Sequence, residues 1–106
     1  MTVLVTGGSG FIGRRLKRMQ PDWVYLASKD CDLKNLDETL ETFAFYKPAA
    51  VLHLAARVGG IKDNSENQAT YFFDNIIMNT NVIHASYVTG INRVLATLST
   101  CAFPDV

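Results

Sequence analysis

Three glycines spaced three residues apart follow directly on a short apolar run, and nothing else in the chain constrains its fold as tightly. The run is Thr2-Val3-Leu4-Val5-Thr6, and the glycines are Gly7, Gly10 and Gly13 in Gly7-Gly8-Ser9-Gly10-Phe11-Ile12-Gly13. A short run with no polar alternation suits a strand covered on both faces, the habit of parallel sheets. Immediately afterwards the periodicity becomes helical. Phe11, Ile12, Leu16 and Met19 fall on one face, and Arg14, Arg15, Lys17 and Arg18 on the other. A strand, a glycine turn and a helix together predict an α/β crossover unit.

The rest of the chain repeats that rhythm. Pro21 and Asp22 break the first helix, and Trp23-Val24-Tyr25-Leu26-Ala27 reads as a second strand. Asn35 or Asp37 starts a helix running to about Tyr46, with Leu36, Leu40, Phe43 and Ala44 inward and Pro48 as its stop. Ala50–Ala55 makes a third strand, and Arg57–Asn67 a polar, glycine-containing loop. A long helix then reaches about Val88, where Gly90 supplies the left-handed residue that ends it. Arg93–Leu98 is the fourth strand. Short apolar strands alternating with helices predict a doubly wound parallel sheet of the Rossmann type, with strand order 3-2-1-4.

In that context the glycines become chemistry. Gly7 supplies a tight turn, Gly10 lets backbone approach a pyrophosphate, and Gly13 allows close packing of helix on strand. Gly8, Ser9, Phe11 and Ile12 complete the turn, whose amides and positive helix end face the phosphates. The other reading is a strand-to-helix turn without a ligand. About 20 residues beyond the glycines, a site selecting NAD places an acidic residue for the ribose 2′-hydroxyl. Here Ser28 and Lys29 follow the strand, and they suit the 2′-phosphate of NADP by hydrogen bond and charge. Arg14 is a second candidate partner, while an ordinary solvated role for Lys29 stays open.

Other partners are disfavoured by charge. Ten Lys+Arg balance ten Asp+Glu, which argues against nucleic acid or an acidic membrane surface. No apolar run approaches the ~20 residues of a membrane span, and a leader is not expected at Met1. Cys31 and Cys101, with His53 and His84, show no metal-ligand spacing and no disulfide framework. A cytoplasmic domain is the expectation. Cys31 reads as structural, His53 as an orienting or core histidine, and His84 as packing.

Longer strings carry a resemblance. Thr6-Gly7-Gly8-Ser9-Gly10-Phe11-Ile12-Gly13 with His53-Leu54-Ala55-Ala56 resembles the extended short-chain dehydrogenase/reductases that act on nucleotide sugars. His53-Leu54-Ala55-Ala56-Arg57-Val58-Gly59-Gly60-Ile61, Asn75, Asn81-Val82-Ile83-His84-Ala85 and Leu98-Ser99-Thr100-Cys101-Ala102-Phe103-Pro104 narrow it to the GDP-L-fucose synthases. These are epimerase/reductases of GDP-4-keto-6-deoxy-D-mannose, and the resemblance runs from Met1 to Val106.

The resemblance implies roles. It implies NADP(H) as cofactor and a GDP-sugar as substrate. It extends the cofactor contacts to Asp32 and Leu33, to Leu54, Ala55 and Ala56, and to Leu98 and Thr100. Ser99 would belong to a Ser-Tyr-Lys triad and hold the keto oxygen. Cys101, with a later histidine, would exchange protons at the carbons that the 4-keto group acidifies, a task for a thiol of tuned pKa. Asn75 would support the site, and the long helix 66–88 would join two subunits. For Ser99 and Cys101 the plain alternatives are a turn cap and a small buried apolar residue. Tyr25, Tyr46, Tyr71 and Tyr87 all precede Ser99, so the triad's Tyr-x-x-x-Lys pair is expected about thirty residues past Val106. The chain then reads as the N-terminal part of a cofactor domain, with the rest of the sheet and the substrate domain absent. Such a part would be inactive alone. Alternatives are another nucleotide-sugar epimerase or dehydratase, or a non-catalytic NADP-binding module.

Overall fold

The computed structural model describes residues 2–55 and 68–96. Its elements run β1 (Val3–Thr6), α1 (Phe11–Met19), β2 (Val24–Leu26), α2 (Leu36–Tyr46), β3 (Ala50–His53), α3 (Gln68–Val88) and β4 (Val94–Ala96). All three strand pairings are parallel, with Val5 opposite both Tyr25 and Leu52, and Leu52 opposite Leu95. The α/β class and the parallel sheet are as the sequence implies.

The strand order differs from the expected 3-2-1-4. It is β2-β1-β3-β4, so β3 lies against β1 rather than outside β2. Burial gives the reason. All four residues of β1 are buried, as a central strand demands, whereas β2 has only three residues and two of them are half-exposed, which suits an edge. Apolar pattern reports how covered a strand is, not which strand covers it. Right-handed crossovers then put α1 on one face of the sheet and α2 with α3 on the other.

The main core fills the second face. Leu4, Leu26, Val51, Phe43, Val82, Ala85 and Ile91 pack there with Cys31 and Leu33. Each helix follows local rules in part. Asn35 caps α2, its side chain accepting from the Glu38 amide at 3.0 Å. Lys47 ends that helix in the left-handed region at φ 46°. On α2 the buried stripe is Thr39 and Phe43 with Leu40 beside them, while Leu36 and Ala44 are exposed. On α1 only Gly13 is buried, and Phe11, Ile12 and Met19 stay exposed. The expected inward face is therefore uncovered, because no other described helix lies on that side of the sheet. His84 is exposed rather than packed. No described helix is long and apolar enough to cross a membrane.

Candidate functional site

The site begins where the sheet reverses direction. β2 lies on one side of β1 and β3 on the other, so a crevice opens at the carboxyl ends of β1 and β3. Gly7 turns the chain there at φ +69°. A Cβ on Gly7 would stand 2.7 Å from the Ala55 nitrogen and 2.9 Å from the Leu54 carbonyl carbon, so backbone fills the place of a side chain. Gly8 donates to the Leu26 carbonyl at 2.8 Å, and Gly10 to Gly7 O at 3.1 Å. A Cβ on Gly13 would collide with Gly7 O at 2.6 Å, which seats α1 directly on the turn. Gly10 occupies the cap of α1 and has no side chain to offer, so the first amides of the helix face outward as an anion site.

This turn floors a cavity of ≈ 380 Å³, within the range of small-ligand sites. Gly7, Ser9, Gly10, Ser28, Asp32, Leu33, Leu54 and Ala55, named as cofactor contacts in the sequence reading, line it. Gly8 and Gly13 sit behind the turn, Phe11 and Ile12 are exposed, and Lys29 is exposed outside the lining, where Lys34 stands instead. Ala56, Leu98, Ser99, Thr100 and Cys101 lie outside the described residues. Asn75 is half-buried on α3 and away from the lining.

Several lining residues escaped the sequence reading. Thr6, Leu26, Ala27 and Cys31 border the cavity, and α3 contributes Asp74 and Met78. The spacing of Asp74 and Met78, one helical turn apart, was a visible signal, but nothing local aims that face at the glycines. Cys31 is buried, and loss of solvent pushes its thiol upward, so it is not an activated thiolate. Among the described residues no group of three or more metal-ligating side chains forms.

The cavity's outer wall is the segment after β2, and it is braced at each step. The Ala27 amide donates to Asp30 Oδ2 at 2.9 Å, which turns that carboxylate back onto its own loop. The Asp32 amide donates to Glu38 Oε1, and the Lys34 amide to Asp32 Oδ1. From α3, buried Asn81 donates through Nδ2 to Leu33 O at 2.8 Å. The inner wall has its own brace. Thr6 Oγ1 meets His53 Nδ1 at 2.6 Å, and His53 Nε2 meets Asn79 Oδ1 at 2.7 Å. Burial pushes His53 below the ordinary histidine value, against the opposing pull of its Asn79 hydrogen bond.

By letter, Tyr25 and Lys29 have the spacing Tyr-x-x-x-Lys. They do not form a catalytic pair. Tyr25 lies on β2 and donates its phenol hydrogen to Gln20 O at 2.8 Å, and neither residue lines the cavity. Desolvation pushes the Tyr25 phenol upward, the wrong direction for a proton donor working near neutral pH.

Comparison with known proteins agrees with this geometry. The sequence profile described as the NAD dependent epimerase/dehydratase family matches residues 3–106. A GDP-L-fucose synthase of Dictyostelium discoideum is 40% identical over 111 residues, covering 98% of this chain and 35% of that protein. A probable GDP-L-fucose synthase of Drosophila melanogaster is 43% identical, covering 97% and 34%. A crystal structure of a GDP-L-fucose synthetase from Naegleria fowleri bound to NADP superposes with a TM-score of 0.80 at 37% identity, covering 99% of this chain and 32% of that one. The chain thus spans about a third of the length of these relatives.

Proposed function

The chain belongs to the NAD dependent epimerase/dehydratase family, and from that premise we propose that its 106 residues are the NADP(H)-binding N-terminal part of a GDP-L-fucose synthase-like enzyme. The enzyme would convert GDP-4-keto-6-deoxy-D-mannose to GDP-L-fucose by epimerisation at C3 and C5 and reduction of the 4-keto group. The observation that carries the reading is the cradle: Gly7 pressed on the β3 terminus, with the start of α1, free of a side-chain cap, above the ≈ 380 Å³ cavity. Its donors are backbone amides, which suit a pyrophosphate. Bound NADPH supplies hydride for C4 of the sugar.

The chain's own residues divide the remaining work. The glycine turn holds the pyrophosphate. Ser28, Lys34 and Lys29 provide hydroxyl and positive charge for a 2′-phosphate, and Asp30 is turned away onto the Ala27 amide. Ser99, three residues past β4 in sequence, hydrogen-bonds the keto oxygen. Cys101 exchanges protons at the carbons flanking that carbonyl, with a histidine and the Tyr-x-x-x-Lys pair supplied beyond residue 106. Exposed Phe72, Ile76, Ile83 and Tyr87 share one face of α3, which supports self-association through this helix as a homodimer. The cytoplasm, where the cofactor is kept reduced, is the expected location.

The test is a titration of the full-length protein with NADPH and NADH, followed by turnover of GDP-4-keto-6-deoxy-D-mannose. NADPH should bind at least tenfold more tightly, and Lys29→Ala or Lys34→Ala should narrow that gap. Equal affinities, or a gap untouched by both variants, would remove the 2′-phosphate argument.

A further inference from the structure

Thr6 Oγ1 lies at the seam between β1 and β3 and has three polar neighbours: the Leu54 amide at 3.1 Å, the Ala55 amide at 3.2 Å and His53 Nδ1 at 2.6 Å. The two amides can only donate, that of Leu54 being shared with the Thr6 carbonyl at 3.2 Å, so they occupy the two lone pairs of the hydroxyl. Its single hydrogen is left for His53 Nδ1, which must therefore accept. The ring hydrogen is then on Nε2, and Nε2 donates to Asn79 Oδ1 at 2.7 Å. The opposite tautomer would aim three donors at one hydroxyl oxygen and require the Asn79 amide to be turned over.

The two amides at the head of this relay are not incidental. Leu54 and Ala55 line the cavity, and their backbone is what a Cβ at Gly7 would strike. Their position sets the gap between the glycine turn and β3. We infer that Asn79 is a positioning residue for the cofactor: acting through the Nε2–H tautomer of His53, it fixes the Thr6 hydroxyl and so holds the Leu54 and Ala55 amides in the register the cradle needs. Asn79 itself is absent from the cavity lining and acts only through the relay. His53 is buried, so water does not readily replace Asn79 as the acceptor. The inference deepens the cofactor reading given above and rests on it.

The experiment combines a tautomer measurement with binding in the full-length protein. Nitrogen-15 NMR of the imidazole should show His53 protonated at Nε2 and bare at Nδ1. Asn79→Leu removes the Nε2 hydrogen bond and should weaken NADPH binding about five- to tenfold, the effect of one lost buried hydrogen bond on a preorganised site. Thr6→Val and Thr6→Ser probe the other end, and serve if Asn79→Leu does not fold. Valine should weaken binding to a similar extent, and serine, which keeps the hydroxyl, should restore it. An Nδ1–H tautomer in the wild type, or wild-type affinity in folded Asn79→Leu or Thr6→Val, would overturn the inference. Failure of the wild-type protein to bind NADPH would instead refute the cofactor reading beneath it.

Discussion

Replacing Gly7 with alanine separates two physical costs that the structure places on one residue. Gly7 has φ +69°, where a Cβ is crowded by its own backbone, at about 1–2 kcal/mol for an ordinary residue. In addition, its Cβ would meet Ala55 N at 2.7 Å, Ala55 Cα at 2.9 Å and the Leu54 carbonyl carbon at 2.9 Å. These are backbone atoms directly after the central strand β3, tied to Thr6 through the Leu54 and Ala55 amides, so overpacking adds about 1–3 kcal/mol. The sum is about 2–5 kcal/mol, a large share of the ~5–15 kcal/mol that holds a typical domain folded. The control is Gly90→Ala. Gly90 also has positive φ, +80°, but a Cβ there has nothing within 4 Å, so it reports the conformational cost alone. Urea denaturation of the full-length protein with each substitution gives both values on one scale. Gly7→Ala should exceed Gly90→Ala by at least ~1 kcal/mol and should weaken NADPH binding, which Gly90→Ala should leave intact. Equal losses in the two variants would refute the claim that the Leu54–Ala55 backbone fills the Cβ site of Gly7.

Three further predictions follow from single residues. Lys47→Gly should stabilise the protein by about 0.5–1 kcal/mol, because Lys47 holds a left-handed φ of 46° at the end of α2; an unchanged or lower urea midpoint would count against it. Asn81→Leu removes the Nδ2 hydrogen bond from α3 to the Leu33 carbonyl at nearly constant volume, so it should cost about 1–3 kcal/mol and weaken NADPH binding through the loosened outer wall; wild-type stability would show that the bond is dispensable. His53 sits below its ordinary value of 6.5 in the folded protein, so its neutral form is the stabilising one. Stability is complete above about pH 6.5, and between there and the lower folded value the unfolded chain binds the extra proton, a loss of up to ~1.4 kcal/mol per pH unit. A urea midpoint that stays flat from pH 7.5 to 5.5 would contradict the burial of a neutral imidazole.

Local rules carried the sequence a long way. The apolar run with its glycines specified a buried strand, a turn and a helix, because positive φ and close backbone approach leave only glycine at such a place. Asn35 marked the start of α2 and Gly90 the end of α3, since a cap is decided within a few residues. What the tertiary structure decided is everything that depends on which elements become neighbours. It set β3 rather than β2 as the second partner of the glycine strand, exposed the apolar face of α1, and exchanged Lys29 for Lys34 at the cavity wall. It also joined Thr6, His53 and Asn79, which are far apart in the chain. Periodicity records whether a residue is covered, and hydrogen-bonding capacity records that it needs a partner. Neither names the partner, and only the packing of α3 across the β1–β3 seam does so.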